Sequence, residues 1–353
     1  MANFDDMKLA VEAMTGGKNT VLLDDVGLPS IMVPIAKLKN SELIAGASDN
    51  THYGFSVNGV EKNAMYFSKF QNVVVNNRAY SLPLKDPKTS INFDSAVTAC
   101  RTKGAGWSLT PAALWAAVAL WSRKNGTMPR GNNNYGRDHV YTHEKGIPSN
   151  ALDTESRVQR TATGSGPATW NHNWLPDGIA DMNGNIYEWL AGLRLMDGEI
   201  QLIPYANCMD PEVSMGVNST FWKAILADGT LVDPGTAGTL KFDYLSSKLT
   251  LTTGTVTDDG SAGRSTGFTS IGLASGLTVP EIIKAMTIYP DEPGGDYGGD
   301  YRYMTLAGER MPLAGGYWYD AAGAGVFRWA LYNSRSGADG IIGFRSAFCD
   351  LSA

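Results

Sequence analysis

The stretch that decides the fold of this chain is residues 314–348, which read AGGYWYDAAGAGVFRWALYNSRSGADGIIGFRSAF. Within residues 326–333, large apolar residues alternate with residues of other kinds, and side chains along a strand point alternately to its two faces. One face is uniformly apolar and carries Phe327, Trp329 and Leu331. The other face carries a cation, a methyl group and a phenol, namely Arg328, Ala330 and Tyr332. Because these three share no packing or catalytic role, the pattern predicts a rigid frame beneath an interchangeable surface.

Composition and charge narrow the class of protein. The 353 residues are 43% apolar and 18% charged, which is typical of a folded chain with a large core. The formal charge of -6 argues against nucleic-acid binding, which needs a basic stripe. No apolar run is long enough to span a bilayer, and the first residues lack the pattern of a secretion signal, so neither is expected. Cys100, Cys208 and Cys349 are odd in number and widely spaced, which predicts buried free thiols.

Apolar spacing predicts helices over residues 5–15, 94–103, 110–124 and 280–287. For the third helix we expect Thr110 as the N-cap, Pro111 at the first helical position and Gly126 just past the end. Short hairpins are expected between about residues 31 and 84. Residues 195–300 have the pattern of an insertion that contains further hairpins, one of them with an Asp228-Gly229 turn.

One polar motif, DMNGN at residues 181–185, offers oxygen ligands for calcium. Asn183 and Glu188 would supply side-chain oxygens, and Gly184 and Ile186 backbone carbonyls, so that one irregular turn surrounds the cation. The alternative is a loop clamp in which Asn183 and Asn185 bond backbone groups.

Other candidate sites are weaker. The acidic loop 291–300 is expected to be mobile and solvated, with calcium binding as the alternative. His139 and His143 are spaced as metal ligands on a helix, but their turn-rich context predicts loop residues. His172 lies between two tryptophans and is expected to hydrogen-bond rather than to act as a base.

Three separated motifs resemble the formylglycine-generating enzyme-like branch of the C-type lectin fold. They are SLTPAALWAAVALW at 108–121, DMNGNIYEW at 181–189 and LAGGYW…GIIGFRSAF at 313–348. The resemblance implies an α+β fold with small twisted antiparallel sheets, two main helices and many loops. Residues 1–30 would then be an N-terminal helix and strand arm, and residues 31–353 a C-type lectin-like domain with the insertion at about 195–300. Because the family often holds calcium at the second motif, the resemblance also implies a structural calcium ion at Asn183, Gly184, Ile186 and Glu188.

The closing motif departs from that of the enzymes in this family. The oxidase members carry two copper-binding cysteines ahead of GFR, whereas this chain has no cysteine between Gly315 and Arg345. Soft copper therefore lacks its thiolate ligands there. We expect the fold without the chemistry, that is, a protein that is not an enzyme and has no catalytic cofactor.

A second resemblance is to the variable proteins of diversity-generating retroelements, which use the same scaffold. Their last segment is rewritten by adenine-directed mutagenesis, mostly at Asn codons, which never yields Lys, Glu, Gln, Met or Trp. Residues 312–348 contain no Lys, Glu, Gln or Met, although Met occurs 13 times in the chain. The resemblance thus implies a variable region at about 315–345, with Trp318 and Trp329 as fixed positions.

The two resemblances together divide the segment into frame and variable positions. Within the frame, Asn333 and Arg345 are expected to bond backbone groups of the loops. The predicted frame residues are Trp318, Phe327, Trp329, Leu331, Asn333, Ile342, Phe344 and Arg345. The predicted variable, ligand-binding residues are Tyr317, Tyr319, Asp320, Ala322, Ala324, Arg328, Ala330, Tyr332, Gly337, Ala338, Asp339, Gly340 and Ile341.

The function implied is that of a non-enzymatic, hypervariable ligand-binding protein. It would be made in the host cytoplasm and displayed on a phage virion at a tail fibre tip, to bind a protein or glycan on a bacterial surface. Display on a bacterial cell surface is the alternative location, and related phage proteins suggest a homotrimer. The alternative functions are a formylglycine-generating enzyme-like oxidase and a carbohydrate-binding lectin of fixed specificity.

Overall fold

The computed structural model describes residues 4–352 and has five α-helices over that range. They are α1 (Phe4–Thr15), α2 (Asn40–Leu43), α3 (Phe93–Arg101), α4 (Ala112–Lys124) and α5 (Glu281–Ala285). The four predicted helices are confirmed, with ends displaced by up to a few residues. Among residues 4–352, none of the helices combines the length and apolarity that bilayer crossing requires.

Short strands, together with a few single-turn 3-10 helices, form the rest of the regular structure. In chain order they are β1 (Thr20–Leu23), β2 (Pro29–Ala36), β3 (Ser56–Val57), β4 (Val60–Glu61), β5 (Ala64–Ser68), β6 (Val73–Val75), β7 (Arg78–Tyr80), β8 (Trp107–Leu109), β9 (Tyr187–Trp189), β10 (Leu193–Met196), β11 (Glu199–Leu202), β12 (Lys223–Ile225), β13 (Leu231–Val232), β14 (Lys241–Leu245), β15 (Lys248–Thr252), β16 (Arg264–Gly267), β17 (Gly272–Leu273), β18 (Tyr301–Met304), β19 (Glu309–Arg310), β20 (Leu313–Gly315), β21 (Gly325–Leu331), β22 (Ile342–Phe344) and β23 (Ser346–Phe348).

One five-stranded sheet joins the two ends of the chain, in the order β1-β2-β5-β23-β8. The last strand, β23, lies between β5 and β8, with Ala347 opposite Phe67 on one side and Ser108 on the other. The N-terminal hairpin β1-β2 extends the same sheet, so residues 20–23 add an edge strand to it. Few helices and mainly antiparallel sheets make up the described chain, and the predicted α+β class is confirmed.

A six-stranded sheet, in the order β16-β18-β21-β20-β9-β22, contains three strands of the closing segment, namely β20, β21 and β22. Its strand β21 runs parallel to β18 and antiparallel to β20. Helix α4 braces β21 from one side, because Trp115 Nε1 donates a hydrogen bond of 2.8 Å to the carbonyl of Val326. The strand is therefore central in its sheet and fixed to the main helix.

The insertion at residues 195–300 belongs to the same body. Its hairpins β12-β13 and β14-β15 form as predicted and join an eight-stranded sheet with β10 and β19. Leu195, Phe242 and Ile283 from this region lie in one core cluster with Trp115 and Trp329. Because the insertion also contributes β16 next to β18, it supports the edge of the sheet that holds β21.

Two local predictions were wrong. Helix α4 is preceded by Pro111 as the N-cap, not by Thr110, whose hydroxyl instead donates to the carbonyl of Arg345 at 2.9 Å. The acidic loop is not solvated throughout, because Asp300 is buried and accepts a hydrogen bond of 2.7 Å from the amide of Phe327. Tyr297 in the same loop is also buried and packs edge-on against Phe327. The loop is thus part of the packing beneath β21.

Candidate functional site

The apolar face of β21 is a frame in the structural sense. Phe327, Trp329 and Leu331 are at most 2% exposed and belong to the main core cluster. Phe327 stacks on Phe268 with ring centroids 5.5 Å apart. Of the other predicted frame residues, all but Asn333 are also buried: Trp318, Ile342, Phe344 and Arg345. A change on the opposite face of the strand therefore leaves this packing in place.

Tyrosines gather beside the end of β21, on the face opposite the frame. In the parallel pair with β18, Tyr303 lies opposite Ala330. Tyr332, two residues along, meets Tyr303 edge-on with ring centroids 5.1 Å apart. Tyr301 and Arg328 both border Gly323, since a Cβ built on this glycine would lie 3.7 Å from the ring of Tyr301 and 3.9 Å from the guanidinium of Arg328.

The loop before β21 brings further tyrosines to the same place. The ring of Tyr317 lies 5.4 Å from that of Tyr187, and Tyr319 lies 5.1 Å from Tyr135. Tyr319 is 58% exposed, the most of any of these. We call this group the tyrosine patch; it holds seven of the 15 tyrosines, namely Tyr135, Tyr187, Tyr301, Tyr303, Tyr317, Tyr319 and Tyr332.

A polar network supports the patch from below. Arg328 donates through Nη2 to the hydroxyl of Tyr187 at 2.8 Å and lies 3.8 Å from a carboxylate oxygen of Asp320. Asp320 in turn accepts from the amide of Tyr317 at 3.3 Å. Burial raises the pKa of Asp320, and the charge of Arg328 opposes that rise. Burial also raises the pKa of Tyr317 to about 12, so its phenol is neutral at physiological pH.

This geometry corrects the role predicted for Arg328. The sequence places it on the binding face as an exposed anchor, but the side chain is only 9% exposed. Its charge is used within the chain, by Tyr187 and Asp320. Arg328 therefore orients the tyrosines, and the exposed contact area comes from the rings around it.

Two predicted variable positions are buried, contrary to expectation. Ala330 is fully buried, because β21 has neighbours on both edges and a second core cluster covers this face where Leu313 lies opposite. Ala324 is 3% exposed. Gly316 packs closely against it, because a Cβ built on Gly316 would lie 2.7 Å from the Cβ of Ala324. Both methyl groups are therefore closed off from the surface where a ligand would bind, and neither position has room for a large side chain.

The remaining predicted positions lie at the surface or at its edge. Ala322, Ala338 and Asp339 are exposed, while Gly337, Gly340 and Ile341 are half-buried. A Cβ at Gly340 would meet nothing within 4 Å, whereas one at Gly337 would lie 3.1 Å from the side chain of Asn333. The carbonyl of Asp339 accepts from the amide of Ser90 at 2.9 Å, which ties the loop down through its backbone.

The two polar frame residues bond backbone groups in different ways. Arg345 donates to the carbonyl of Ser68 at 3.2 Å, so its predicted role is confirmed. For Asn333 the bond runs through the main chain, since its own carbonyl accepts from the amide of Met311 at 2.9 Å.

The predicted calcium ligands do not fit the ion. Both carboxylate oxygens of Glu188 accept from the guanidinium of Arg345, and one also accepts from Gln71 at 3.0 Å. The side-chain oxygen of Asn183 accepts from Asn133, and the carbonyl of Ile186 accepts from Gln71. A calcium ion here would sit beside a buried cation and would have to displace these donors. The arrangement is that of the loop clamp.

The thiols and histidines are structural as well. Cys100, Cys208 and Cys349 are free and buried, as predicted. Burial raises the pKa of the Cys349 thiol to about 11, so the thiol is protonated at neutral pH. His172 accepts through Nδ1 from the amide of Ile179 at 2.8 Å, and His139 and His143 lie in a loop. Among residues 4–352, no three His, Cys, Asp or Glu side chains are grouped to hold a metal ion.

Sequence reasoning missed four tyrosines of the patch because they lie outside the closing segment. Tyr135 and Tyr187 lie far from the closing segment in the sequence, and although Tyr187 belongs to the second motif, neither local sequence indicates contact with that segment. Tyr301 and Tyr303 carried a usable signal, because alternating tyrosines in YRYM predict a strand with one aromatic face. Arg157 also belongs to this edge, with its guanidinium 4.1 Å from the ring of Tyr135.

Comparisons with known proteins were made at three levels. No protein-family model and no curated protein matches the chain. Among solved structures it is similar to Treponema denticola variable protein 1, with 13% identity and a TM-score of 0.35, over 94% of this chain and 98% of that one. It is also similar to the Major Tropism Determinant P3c Variant, with 10% identity and a TM-score of 0.33, over 94% of this chain and 71% of that one. The name of the first is that of a variable protein, the kind of protein that the closing segment resembles.

Proposed function

We propose that this chain is a non-enzymatic ligand-binding protein whose contact surface is rewritten by a diversity-generating retroelement. The surface is the tyrosine patch together with the adjoining loop 337–341. The observation that carries the proposal is a separation of roles between the buried strand β21 and the tyrosines around it. Its apolar side chains are fully buried, whereas Tyr317, Tyr319 and Tyr332 around it keep exposed area.

The chemistry of the patch suits binding rather than catalysis. Tyrosine gives a large contact area and a hydrogen-bonding hydroxyl at a small entropic cost, which is why it is common in binding sites. The Arg328–Tyr187 bond holds one ring of the group in place before a ligand arrives. Preorganisation of this kind lowers the entropic cost of binding.

The frame explains how the surface can change without loss of the fold. Substitutions at exposed positions away from the core usually alter stability by within about 0.5 kcal/mol. Tyr319, Ala322, Ala338 and Asp339 meet that condition. Each new surface would then appear on the same scaffold.

We further propose that the chain is displayed on a phage virion, at a tail fibre tip, where it binds a protein or glycan on a bacterial surface. Several copies, for example in a homotrimer, would convert weak single contacts into avidity. Display on a bacterial cell surface would use the same contact surface.

The neighbouring DNA and its natural variation test this function. We expect a reverse transcriptase gene and a near-copy of the 3′ end that differs only where the copy has adenine. In a population, substitutions should concentrate at the exposed predicted positions and spare Phe327 and Trp329. A uniform sequence at Tyr317, Tyr319 and Tyr332, with no such near-copy, would contradict the proposal.

Binding supplies a second test. With purified protein and whole bacterial cells of a susceptible strain, Tyr319→Ala and Tyr332→Ala should each reduce cell binding by about tenfold or more, as expected for aromatic anchors. Tyr141→Ala is a matched control, because Tyr141 is 41% exposed and lies outside the patch. Equal binding by all three variants would contradict the assignment of the patch.

A further inference from the structure

We infer a second ligand site, for a neutral saccharide, in a cleft that the proposed function does not use. The cleft has a volume of about 660 Å³ and lies between the end of β2, helix α2, the β3-β4 hairpin and the loop at Tyr205. Its lining combines aromatic rings with many hydrogen-bonding groups. It shares no lining residue with the tyrosine patch.

Two stacked tyrosines give the cleft an aromatic wall. The rings of Tyr53 and Tyr205 are 5.8 Å apart with an angle of 23° between their planes. Tyr205 is 45% exposed, so ring surface remains open to solvent. The face of an aromatic ring carries negative charge density and attracts the polarised C–H groups on the flat side of a sugar ring.

The backbone holds Tyr205 in an unusual position. Its φ is +57°, in the left-handed region that residues with a bulky side chain rarely adopt. The loop is tied to the β3-β4 hairpin because the amide of Ala206 donates to the carbonyl of Ser56 at 2.9 Å. The amide of Asn58 donates to the side chain of Asn207 at 2.7 Å. Strained positions that the surroundings fix in this way concentrate at functional sites.

Two ammonium groups and three carboxylates line the cleft. Lys37 contacts Glu61 at 3.0 Å, and Lys39 contacts Asp49 at 3.7 Å. The one formal charge in excess, that of Glu42, repels anions and attracts cations only weakly at an exposed site. Such a lining favours a neutral ligand with many hydroxyl groups.

One buried acceptor in the wall lacks a partner. Asn40 lines the cleft, is 1% exposed and donates from its side-chain nitrogen to Glu281 at 2.7 Å. Its side-chain oxygen has no hydrogen-bond partner among the described residues. Buried polar atoms are nearly always paired, so this oxygen is an unused acceptor just behind the surface of the cleft, and a bridging water would connect it to a sugar hydroxyl.

Saturation-transfer difference NMR with the full chain tests the inference. The probes are maltotriose, cellotriose, tri-N-acetylchitotriose and mannotriose, each without net charge. We expect transfer to at least one of them, unchanged by added salt because no ion pair forms with the ligand. Tyr205→Gly removes the ring at a backbone position that glycine adopts freely, and it should weaken binding about tenfold. Tyr205→Phe keeps the ring and should keep binding.

The tyrosine patch supplies the control that separates the two sites. Tyr319→Ala should leave the saccharide signal intact, since Tyr319 does not line this cleft. The inference is overturned if no sugar of the panel shows transfer, if Tyr205→Gly binds as well as the parent chain, or if Tyr319→Ala abolishes the signal. None of these results bears on whether the patch itself is diversified.

Discussion

The guanidinium of Arg345 and the carboxylate of Glu188 form a bidentate ion pair in the interior, with both side chains essentially without solvent exposure. Glu188 belongs to the second sequence motif and Arg345 to the third. Arg345 also donates to the carbonyl of Asp181, so one side chain joins the two motifs through charge and backbone. The pair connects β9 to the segment after β22 and fixes the base of the tyrosine patch.

Removal of the cation should destabilise the fold strongly. Arg345→Ala leaves the carboxylate of Glu188 buried and unpaired, and breaking a buried pair in this way costs about 3–5 kcal/mol. The free energy of unfolding in urea measures the loss. Arg157→Ala is the control, because Arg157 pairs with Asp153 and Glu155 at the surface and should matter much less. Equal losses for both variants would contradict the structural role of Arg345.

The same pair leads to a prediction about calcium. Because Arg345 and Gln71 occupy the oxygens of Glu188, the melting temperature should be the same in calcium chloride and in EDTA. A rise of the melting temperature with calcium that disappears in Asn183→Ala would restore the calcium site that the motif implies.

Arg328 and Asp320 should be coupled energetically. A guanidinium nitrogen of Arg328 lies 3.8 Å from a carboxylate oxygen of Asp320, and both side chains are largely shielded from solvent. Replacement of either residue therefore leaves the other without its charged neighbour. In a double-mutant cycle of Arg328→Met and Asp320→Asn, we expect a coupling energy of about 0.5–3 kcal/mol. Tyr319→Ala, also in the patch, should show no coupling with Arg328→Met. If the Arg328–Asp320 cycle also gives no coupling, Arg328 does not support the patch as described.

His172 should make stability depend on pH. Burial lowers its pKa to about 3, whereas the unfolded chain has the ordinary value of about 6.5. Since the unfolded state takes up the proton first, the stability from neutral His172 is present above about pH 6.5 and is lost as the pH falls towards 3.

Comparison with a variant isolates this effect. Burial raises the pKa of Asp181 to about 6, so Asp181 acts in the opposite direction over part of the range. Asp181 is present in both the parent chain and His172→Gln, so its contribution cancels when their free energies of unfolding are subtracted. The free energy of the parent minus that of the variant should decrease as the pH falls.

Much of the fold followed from local patterns. Helical spacing located α4, and the Asp228-Gly229 pair located a hairpin turn, because both signals lie within a few residues of the chain. The role of Arg345 was also predictable, since the closing motif implied a frame that binds loops. The N-cap of α4 was not, because the hydroxyl of Thr110 finds a partner in Arg345, more than two hundred residues away.

The site was only half predictable for a physical reason. Alternation along β21 separates its two faces, but it does not tell whether the second face is covered. Ala330 is covered by the second core cluster, and Arg328 by the rings of the patch, through contacts that form only in the folded chain. Tyr135 and Tyr187 reach the patch from other parts of the sequence in the same way.

A library of variants tests the central claim most directly, namely that a fixed frame carries an interchangeable surface. All the predicted variable positions, and Phe327, Trp329 and Leu331 as controls, would each be randomised with the codons reachable from Asn. The displayed variants would be sorted for resistance to proteolysis and sequenced. We expect Tyr319, Ala322, Ala338 and Asp339 to accept nearly every encoded residue. Ala324 and Ala330 should accept only small residues, and the three controls only apolar ones. Equal tolerance at Trp329 and Tyr319, or intolerance at both, would contradict it.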